Sequence, residues 1–479
     1  MASKNGHYRT VEWLIKKYRG LDLTDSNGRT ALMLAAFNDH YDICDFLFKN
    51  GASINLKDIE GNTAIMIASE KGNVKTFNLL LKRNAITDTF NNAKKNILML
   101  AADNNNIKIV KIILKKFHLK TQNDASVYIT LLKACEKGYV DVVELLFKYN
   151  SCVFGFPLDI ESYTPLMKAS KNGHLTIILT LLKHGEEIDF IKSKNTALIV
   201  ACKNSQLKAV ELLLDHNADV NLAGTNGKTP LMSAAEAGCL PILRLLLANG
   251  ADSNLTDENG WTAMMFACKI NNDEIVLLLH KYKANENHVD KKGNTPLIIA
   301  SFNGSEKVVE TLIRLNVDVN AESKEGVTAL RSAAKRGCIP AVKALLQHNA
   351  DVNASDFNGR TALHFAAAEG SLKIVQMLIQ ANANIYQKTL DGQTSIRMAI
   401  KKKKFDVVEF LLQIKNDLTN NIGGTSYSNS GKTKSSWSVG NNPFPIQSTP
   451  LVERYNFKTQ DTRNSTESIE GKGKYLTVN

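Results

Sequence analysis

The ten residues from Thr361 to Gly370 read TALHFAAAEG. Thirty-three residues earlier the chain reads TALRSAAKRG, and one equal step before that it reads TPLIIASFNG. A sequence that resembles itself at a fixed period is typical of a protein built from one repeated structural unit. The copies begin at Thr30, Thr63, Asn96, Ile129, Thr164, Thr196, Thr229, Thr262, Thr295, Thr328, Thr361 and Thr394. The step between them is constant except from Ile129 to Thr164, where it is slightly longer, and from Thr164 to Thr196, where it is slightly shorter, so the period covers almost the whole chain.

Each copy contains the signals of a turn followed by two helices. The segment DENGWT (Asp257 to Thr262) is rich in turn-forming residues, and Gly260 can take a positive φ. Thr262 then suits the start of a helix, where its hydroxyl can accept an otherwise unpaired amide hydrogen. A short Ala-rich helix follows and is closed by Gly, Asn or Asp. A second helix shows apolar residues at helical spacing, as in VDVVELLFKYN (Val140 to Asn150).

This pattern resembles the ankyrin-repeat family over residues 1–418. The period, the four-residue start of each first helix and endings such as ADVNA (Ala350 to Ala354) match the length of the family's unit and its T-P-L-H-x-A signature. The fourth residue of that start is His only at His364, and Met replaces it in six copies. We expect Met to weaken the bonds between neighbouring turns without changing the fold, because Met fills gaps well. The resemblance implies an all-α solenoid of helix-loop-helix units with short β-turn or hairpin tips and one shared core.

The sequence predicts three segments. Residues 1–24 align with the second half of a repeat, residues 25–418 hold about twelve full repeats, and residues 419–479 lack the period. Met1 falls inside a repeat, so either a half-unit serves as a cap or the chain is a truncated version of a longer protein; we favour truncation. The last segment is rich in Ser, Thr, Asn and Gly, which is typical of a disordered tail.

Composition and charge argue against several classes of function. The net charge is +12, of which residues 419–479 contribute +3, so fewer than one extra positive charge remains per repeat. Charge spread so thinly disfavours nucleic-acid binding. Cys135, Cys202 and Cys268 occupy the same small-residue position of the first helix and are predicted to be buried and reduced. Because no signal peptide and no 18-residue apolar stretch occurs, we expect no membrane span and a cytoplasmic protein, with the nucleus as an alternative.

No motif of a catalytic, cofactor or metal site is present in the sequence. GTNGKT (Gly224 to Thr229) and NSGKTK (Asn429 to Lys434) imitate a phosphate-binding loop, but Leu222 and Ser426 occupy the position where that loop needs Gly. The histidines lie mostly in recurring loop positions, and no zinc-protease, nucleophile-elbow or kinase signature occurs. We therefore predict a non-catalytic protein without cofactor, metal or small-molecule substrate.

In ankyrin repeats the turn tips and the exposed face of the first helices commonly bind proteins, so the resemblance implies the same surface here. We predict that the repeats from about Gly227 to Lys402 form a groove for an acidic, extended or helical protein segment. Aromatic side chains and Arg dominate interface energetics, and this part of the chain is rich in large and basic residues at the relevant positions. The candidate contact residues are Trp261, Lys269, Lys291, Lys292, Phe302, Lys324, Lys335, Arg336, Phe357 and Arg360. The plain alternative is that turn tips vary under weak constraint.

Two further segments carry candidate contacts. The lengthened turn SCVFGFPLDIESYTP (Ser151 to Pro165) holds Phe154 and Phe156, which either form a second contact or fold under onto the adjacent helices. In the tail, the candidate motif residues are Trp437, Phe444 and Pro445. The sequence thus predicts a scaffold or adaptor for one or more proteins. The alternative is the targeting or substrate-recognition arm of a larger enzyme, channel or ubiquitin-ligase receptor.

Overall fold

The computed structural model describes residues 1–18, 20–117, 125–149 and 163–423 and shows an all-α protein over that part of the chain. Twenty-five helices are described, and they follow one another in pairs that stack regularly along the chain. Within these residues the only β-structure is three isolated bridges at turns, between Thr24 and Thr30, Lys192 and Asn195, and Ser355 and Thr361. The predicted all-α class with paired, ankyrin-like stacking is confirmed.

Each repeat contributes a first helix and a second helix. The first helices are α2 (Ala31–Phe37), α4 (Ala64–Lys71), α6 (Ile97–Asp103), α8 (Ala125–Lys137), α10 (Pro165–Asn172), α12 (Ala197–Lys203), α14 (Pro230–Ala237), α16 (Ala263–Lys269), α18 (Pro296–Asn303), α20 (Ala329–Arg336), α22 (Ala362–Glu369) and α24 (Ser395–Lys401). The second helices are α1 (Tyr8–Tyr18), α3 (Tyr41–Lys49), α5 (Val74–Lys82), α7 (Ile107–Phe117), α9 (Val140–Tyr149), α11 (Leu175–Lys183), α13 (Leu207–Asp215), α15 (Leu240–Ala248), α17 (Asp273–Lys281), α19 (Glu306–Arg314), α21 (Ile339–Gln347), α23 (Leu372–Gln380) and α25 (Phe405–Gly423).

The core lies between the two layers of helices and continues from repeat to repeat. First helices of adjacent repeats pack side by side, as α18 does against α16 and α20, and each of these also packs on its own second helix. Small side chains make this close approach possible: in α22, every residue from Ala362 to Ala368 is buried. A buried first helix has apolar neighbours on both sides, so its stability depends on the repeats that flank it.

Threonine begins most first helices as the sequence predicts. The hydroxyl of Thr229 accepts a hydrogen bond from the Met232 amide at 3.3 Å, and six other threonines make the same cap. Thr262 is different: its backbone has the extended conformation of an N-cap, but its buried hydroxyl makes no cap bond and has no partner among the described residues. The sequence prediction is therefore right about the position of Thr262 and wrong about its hydrogen bond.

Several of the loops between a first and a second helix are bonded by a side chain of the next repeat. Gly138 ends α8 in the left-handed conformation with φ 80°, and a side chain there would lie 2.7 Å from the His174 ring. The Nε2 atom of His174 lies 3.1 Å from the Glu136 carbonyl at the end of α8. Four equivalent contacts join His40 to Lys4, Asn73 to Ala36, Asn106 to Ser69 and Ser305 to Cys268. In each contact a side chain of the later repeat bonds a carbonyl of the earlier one.

The residues that replace the closing Gly of a first helix have the left-handed backbone conformation that the sequence predicts. Asp39, Asn105 and Asn271, which replace the closing Gly, all have positive φ. The buried cysteines also behave as predicted, because burial raises the pKa of the Cys202 and Cys268 thiols far above its usual value and keeps them protonated. In the part of the chain that the structure describes, no helix combines the length and apolar character that a membrane span requires.

A buried carboxyl group sits beside the start of α10. The Oε1 atom of Glu186 accepts a hydrogen bond from the Leu166 amide at 2.9 Å, while Oε2 has no partner among the described residues. Burial raises the pKa of Glu186 to about 7, and the bonds from the Leu166 amide and the Thr164 hydroxyl offset only part of that effect. The carboxyl group is enclosed although part of the side chain is accessible, so desolvation dominates its ionisation.

Replacing Thr229 by Ala should lower the free energy of unfolding by about 1 kcal/mol, because the Met232 amide loses its cap. The matched change Thr262→Ala should lower the free energy of unfolding clearly less, because the Thr262 hydroxyl makes no cap bond. Urea unfolding of the two variants and the parent chain measures the difference. Equal losses in both variants would show that the cap bond is not the source of the stability.

Replacing Glu186 by Gln should change the dependence of stability on pH. A carboxyl group whose pKa is raised on folding binds more protons in the folded chain, so the parent chain loses stability as pH rises from 4.5 to about 7. Above that window Glu186→Gln should be more stable than the parent by up to about 3 kcal/mol, and near pH 4 the two should be similar. Urea unfolding as a function of pH tests this; curves of the same shape would contradict it.

Candidate partner-binding groove

The first helices α16, α18 and α20 present corresponding residues along one exposed face. Lys269, Phe302 and Lys335 each occupy the same position relative to the Thr that precedes their helix, and they are therefore one repeat period apart. Because these helices pack side by side, the three side chains occupy neighbouring places in one row. The turns before α16 and α20 contribute Trp261 and Val327 beside this row.

A cavity of about 390 Å³ opens on this face, and we call it the Phe302 cavity. Its lining consists of Trp261, Lys269, Lys292, Asn294, Ile298, Ile299, Phe302, Asn303, Glu325, Val327, Arg331, Ser332 and Lys335. Five of the ten residues predicted from the sequence are among them: Trp261, Lys269, Lys292, Phe302 and Lys335. The structure therefore brings half of the predicted set together in one depression with an apolar floor and basic edges.

Trp261 is held in place by its neighbours. Its amide donates to the Asp257 carboxylate at 2.8 Å, and its indole N–H donates to the Asp290 carboxylate at 3.2 Å. Its ring packs against the Phe266 ring with centroids 5.2 Å apart. Since the indole N–H is already bonded, the half-buried ring offers mainly an apolar surface to the cavity.

Phe302 and Lys335 are both exposed at the cavity. The Phe302 side chain is 54% exposed, which is unusual for an aromatic residue on a well-packed helix. The Lys335 ammonium lies 6.0 Å from the centre of the Phe302 ring. Neither Lys335 nor Lys292 forms an ion pair within the described ranges, whereas Lys269 lies 3.4 Å from Glu236. Two cations at the edge of the cavity are thus available to an anionic group.

A buried ion cluster that the sequence analysis missed lies behind the cavity. Arg331 occupies the position that holds Met in many repeats, and its side chain is only 8% exposed. Its guanidinium lies 3.2 Å from the carboxylate of Asp356, which is 2% exposed and also bonds the Arg360 guanidinium at 2.8 Å. Both guanidinium groups stack over the Phe365 ring. Arg in place of Met at that position, together with an Asp in the turn of the next repeat, was the signal that could have revealed the cluster.

The two arginines control the ionisation of Asp356. Burial alone would raise the pKa of the Asp356 carboxyl group, but hydrogen bonds from Arg360 and the positive charge of Arg331 hold it below its usual value. Arg360 was predicted to contact a partner, and the structure places it partly buried with its guanidinium committed to Asp356. The positive charge of Arg360 is therefore largely neutralised by Asp356.

The remaining predicted residues lie around the cavity or outside the described residues. Lys291, Lys324 and Phe357 occupy the tips of successive turns, where each amide donates to a carbonyl of the preceding turn at 2.9 to 3.2 Å. Phe357 is 70% exposed, and Arg336 is exposed at the end of α20, close to Gly304. The candidates in the lengthened turn and in the tail are not described: Phe154, Phe156, Trp437, Phe444 and Pro445.

Removing the negative charge of Asp356 should destabilise the repeat array. Asp356→Asn keeps the shape of the side chain but leaves the Arg331 charge buried and unpaired, so we expect a loss of about 3 kcal/mol in urea unfolding. Arg331→Met should stay within about 1 kcal/mol of the parent, because Asp356 keeps Arg360 and Met fits this position in other repeats. A larger loss for Arg331→Met than for Asp356→Asn would contradict this account.

The chain is similar to known ankyrin-repeat proteins. The protein named "Ankyrin repeat, SAM and basic leucine zipper domain-containing protein 1" of Dasypus novemcinctus is 38% identical over 117 residues, which cover 23% of this chain and 24% of that protein. Its counterpart in Loxodonta africana is 39% identical over 116 residues, which cover 22% and 23%, and the one in Callithrix jacchus is 35% identical over 123 residues, which cover 25% and 22%. The chain therefore spans about a quarter of the length of these relatives.

A family model for the repeats matches much more of the chain. The model described as "Ankyrin repeats (3 copies)" matches residues 1–58, 50–124, 98–192, 187–257, 242–323 and 315–389. These overlapping segments run without a break from residue 1 to residue 389 and include every helix that lines the Phe302 cavity. The chain belongs to the ankyrin-repeat family, whose repeats generally serve as modules of protein interaction.

Proposed function

We propose that this protein is a non-catalytic scaffold or adaptor that binds an acidic protein segment in the Phe302 cavity and along the neighbouring turn tips. The observation that carries the proposal is the convergence of Trp261, Phe302, Lys292 and Lys335 on one cavity. The array of residues 25–418 supplies this surface, and residues 419–479 form a second, regulable contact through the candidate tail motif.

The chemistry of the cavity defines the partner segment. Ile298, Ile299 and the rings of Trp261 and Phe302 form an apolar floor, which suits one large aliphatic or aromatic side chain. Lys292 and Lys335 at the edge suit carboxylates on either side of that side chain, and Lys291 and Lys324 extend the basic surface along the turn tips. Among the described residues that line the cavity, Glu325 alone is acidic, so the cavity favours an anionic ligand.

The anchoring residues are positioned before a partner arrives. Trp261 is fixed by Asp257 and Asp290, and the backbone bonds between successive turns hold the tips in line. A rigid surface loses little conformational entropy on binding, which leaves more of the contact energy as affinity. This supports recognition of an extended or helical segment that is itself ordered on binding.

A second candidate function is that of a recognition arm in a larger enzyme, channel or ubiquitin-ligase receptor. The short share of the relatives' length that this chain matches favours it, because those proteins are named for further domains beside their ankyrin repeats. In that case the same cavity would bind the substrate or target rather than a scaffold partner. The two functions are distinguished by the full-length transcript upstream of Met1.

Selection of ligands from a random peptide library by the full chain tests the proposal. We expect the selected peptides to carry acidic residues around one large apolar residue. Phe302→Ala should weaken their binding at least tenfold through loss of the apolar contact, and Lys335→Gln should weaken it severalfold through loss of a charge. Isothermal titration calorimetry measures both effects.

The matched control is Lys307→Gln, which removes the same charge from an exposed position on the second helix α19. It should leave peptide binding unchanged, and all three variants should keep the melting temperature of the parent because the altered side chains are exposed. Selected peptides without acidic residues, or equal binding by Phe302→Ala and the parent, would reject the Phe302 cavity as the binding site.

A further inference from the structure

The outward faces of α5 and α7 carry a cluster of lysines that the groove does not use. All six are exposed: Lys75, Lys82, Lys108, Lys111, Lys115 and Lys116. Neither helix contains Asp or Glu, and none of the six lysines forms an ion pair with another described residue. We call these six residues the α5–α7 lysine patch. It lies in the second helices, whereas the Phe302 cavity is formed by first helices and turns.

The two helices arrange the lysines as a two-dimensional grid. The opposite side of α7 buries Ile109, Val110, Ile113 and Leu114, so the lysines face away from the core. Lys75 and Lys82 correspond to Lys108 and Lys115, which occupy the same two positions one repeat later. Within each helix the two positions are about 10 Å apart along the axis, and adjacent packed helices lie about 8–10 Å apart. These four lysine positions therefore mark a square with sides of about 10 Å.

Helix stability does not explain the patch. Lys82, Lys115 and Lys116 lie in last turns, where positive charge is favourable, but Lys75 and Lys108 lie in first turns, where it is unfavourable. Lys111 lies one helical turn from both Lys108 and Lys115, so these like charges repel one another. The positions that correspond to Lys75 and Lys108 in the flanking repeats hold Asp42 and Asp141, which have the stabilising sign.

The patch also differs from the second helices that flank it. The neighbouring second helices α3 and α9 both contain acidic residues, and in α3 the carboxylate of Asp45 bonds Lys49 and Arg83. The net charge of the array is small per repeat, yet six positive charges are concentrated on two adjacent helices. A local concentration of charge of this kind attracts an anionic surface even where the average charge does not.

We propose that the α5–α7 lysine patch docks the protein on an anionic membrane surface through phospholipid headgroups. Clusters of four to eight basic residues on a helical surface are typical of sites for anionic lipids. Lipids diffuse laterally and can gather under a fixed grid of lysines, so no defined groove is needed. The docking is peripheral and leaves the Phe302 cavity available to its own ligand.

The composition of the patch favours lipid headgroups over nucleic acid. It contains no Arg, the residue that grips phosphate with two parallel hydrogen bonds, and neither helix has an exposed aromatic ring on which a base could stack. Its lysines spread over a plane, whereas contacts to a nucleic-acid backbone would follow a line. Lysine carries its charge on a long, flexible side chain, which suits contact with the headgroups of a fluid membrane.

Cosedimentation of the full chain with lipid vesicles tests the proposal. The chain should bind vesicles of equal parts phosphatidylcholine and phosphatidylserine and should not bind vesicles of phosphatidylcholine alone. Each lysine near the surface contributes about fivefold to the partition coefficient, so the triple variant Lys75→Gln, Lys108→Gln, Lys111→Gln should bind roughly a hundredfold more weakly. Binding should also fall as salt rises from about 0.01 to about 0.15 M, because the screening length shortens from roughly 30 to roughly 8 Å.

The control is the triple variant Lys401→Gln, Lys402→Gln, Lys403→Gln, which removes the same charge from exposed lysines elsewhere. It should keep vesicle binding within a few fold of the parent, and both triple variants should keep the parent's melting temperature. The proposal is overturned if the two triple variants lose binding equally, or if both vesicle types bind alike. It is also overturned if the parent ignores vesicles but binds duplex DNA through the patch.

Discussion

Side-by-side packing of the Ala-rich first helices is the constraint on which the rest of this structure depends. A helix such as α22 buries almost its whole circumference, so it is stable only with a neighbour on each side. This requirement explains the nearly constant length of the units along the chain, because a unit of another length would place its small residues out of line. It also explains why the large and charged residues of the candidate groove and of the lysine patch lie in turns, near the ends of first helices and on the outer faces of second helices.

The repeat, its helices and their caps could be predicted from the sequence because their signals are local. Thr, Gly and the small-residue helix recur within each unit, and the structure confirms them at Thr229 and Gly138. The hydroxyl of Thr262 could not be judged in this way, since its sequence context matches that of Thr229. Whether a cap bond forms depends on small shifts of the backbone that a residue pattern does not contain.

The candidate site could be predicted only in part, for a different reason. Repeat position alone identified Trp261, Lys292, Phe302 and Lys335, because equivalent positions in stacked units lie next to one another. It could not show that Arg331 and Arg360 share the carboxylate of Asp356, since that arrangement depends on how Arg331 reaches into the next turn. The α5–α7 lysine patch was hidden because charge counted per repeat averages over faces that point in opposite directions.

The contacts that close the loops after the first helices run in one direction along the chain, whereas the loops after the second helices also bond in the other direction, as from the Asn221 side chain to the Gly250 carbonyl. The side chain of His174 or Ser305 belongs to the later repeat, and the carbonyl of Glu136 or Cys268 belongs to the earlier one. Any fragment cut from the array would therefore expose two unlike ends, because each end keeps only one partner of every bond between repeats. Two such fragments are complementary only head to tail, which is the geometry of an open, self-propagating interface rather than of a closed pair.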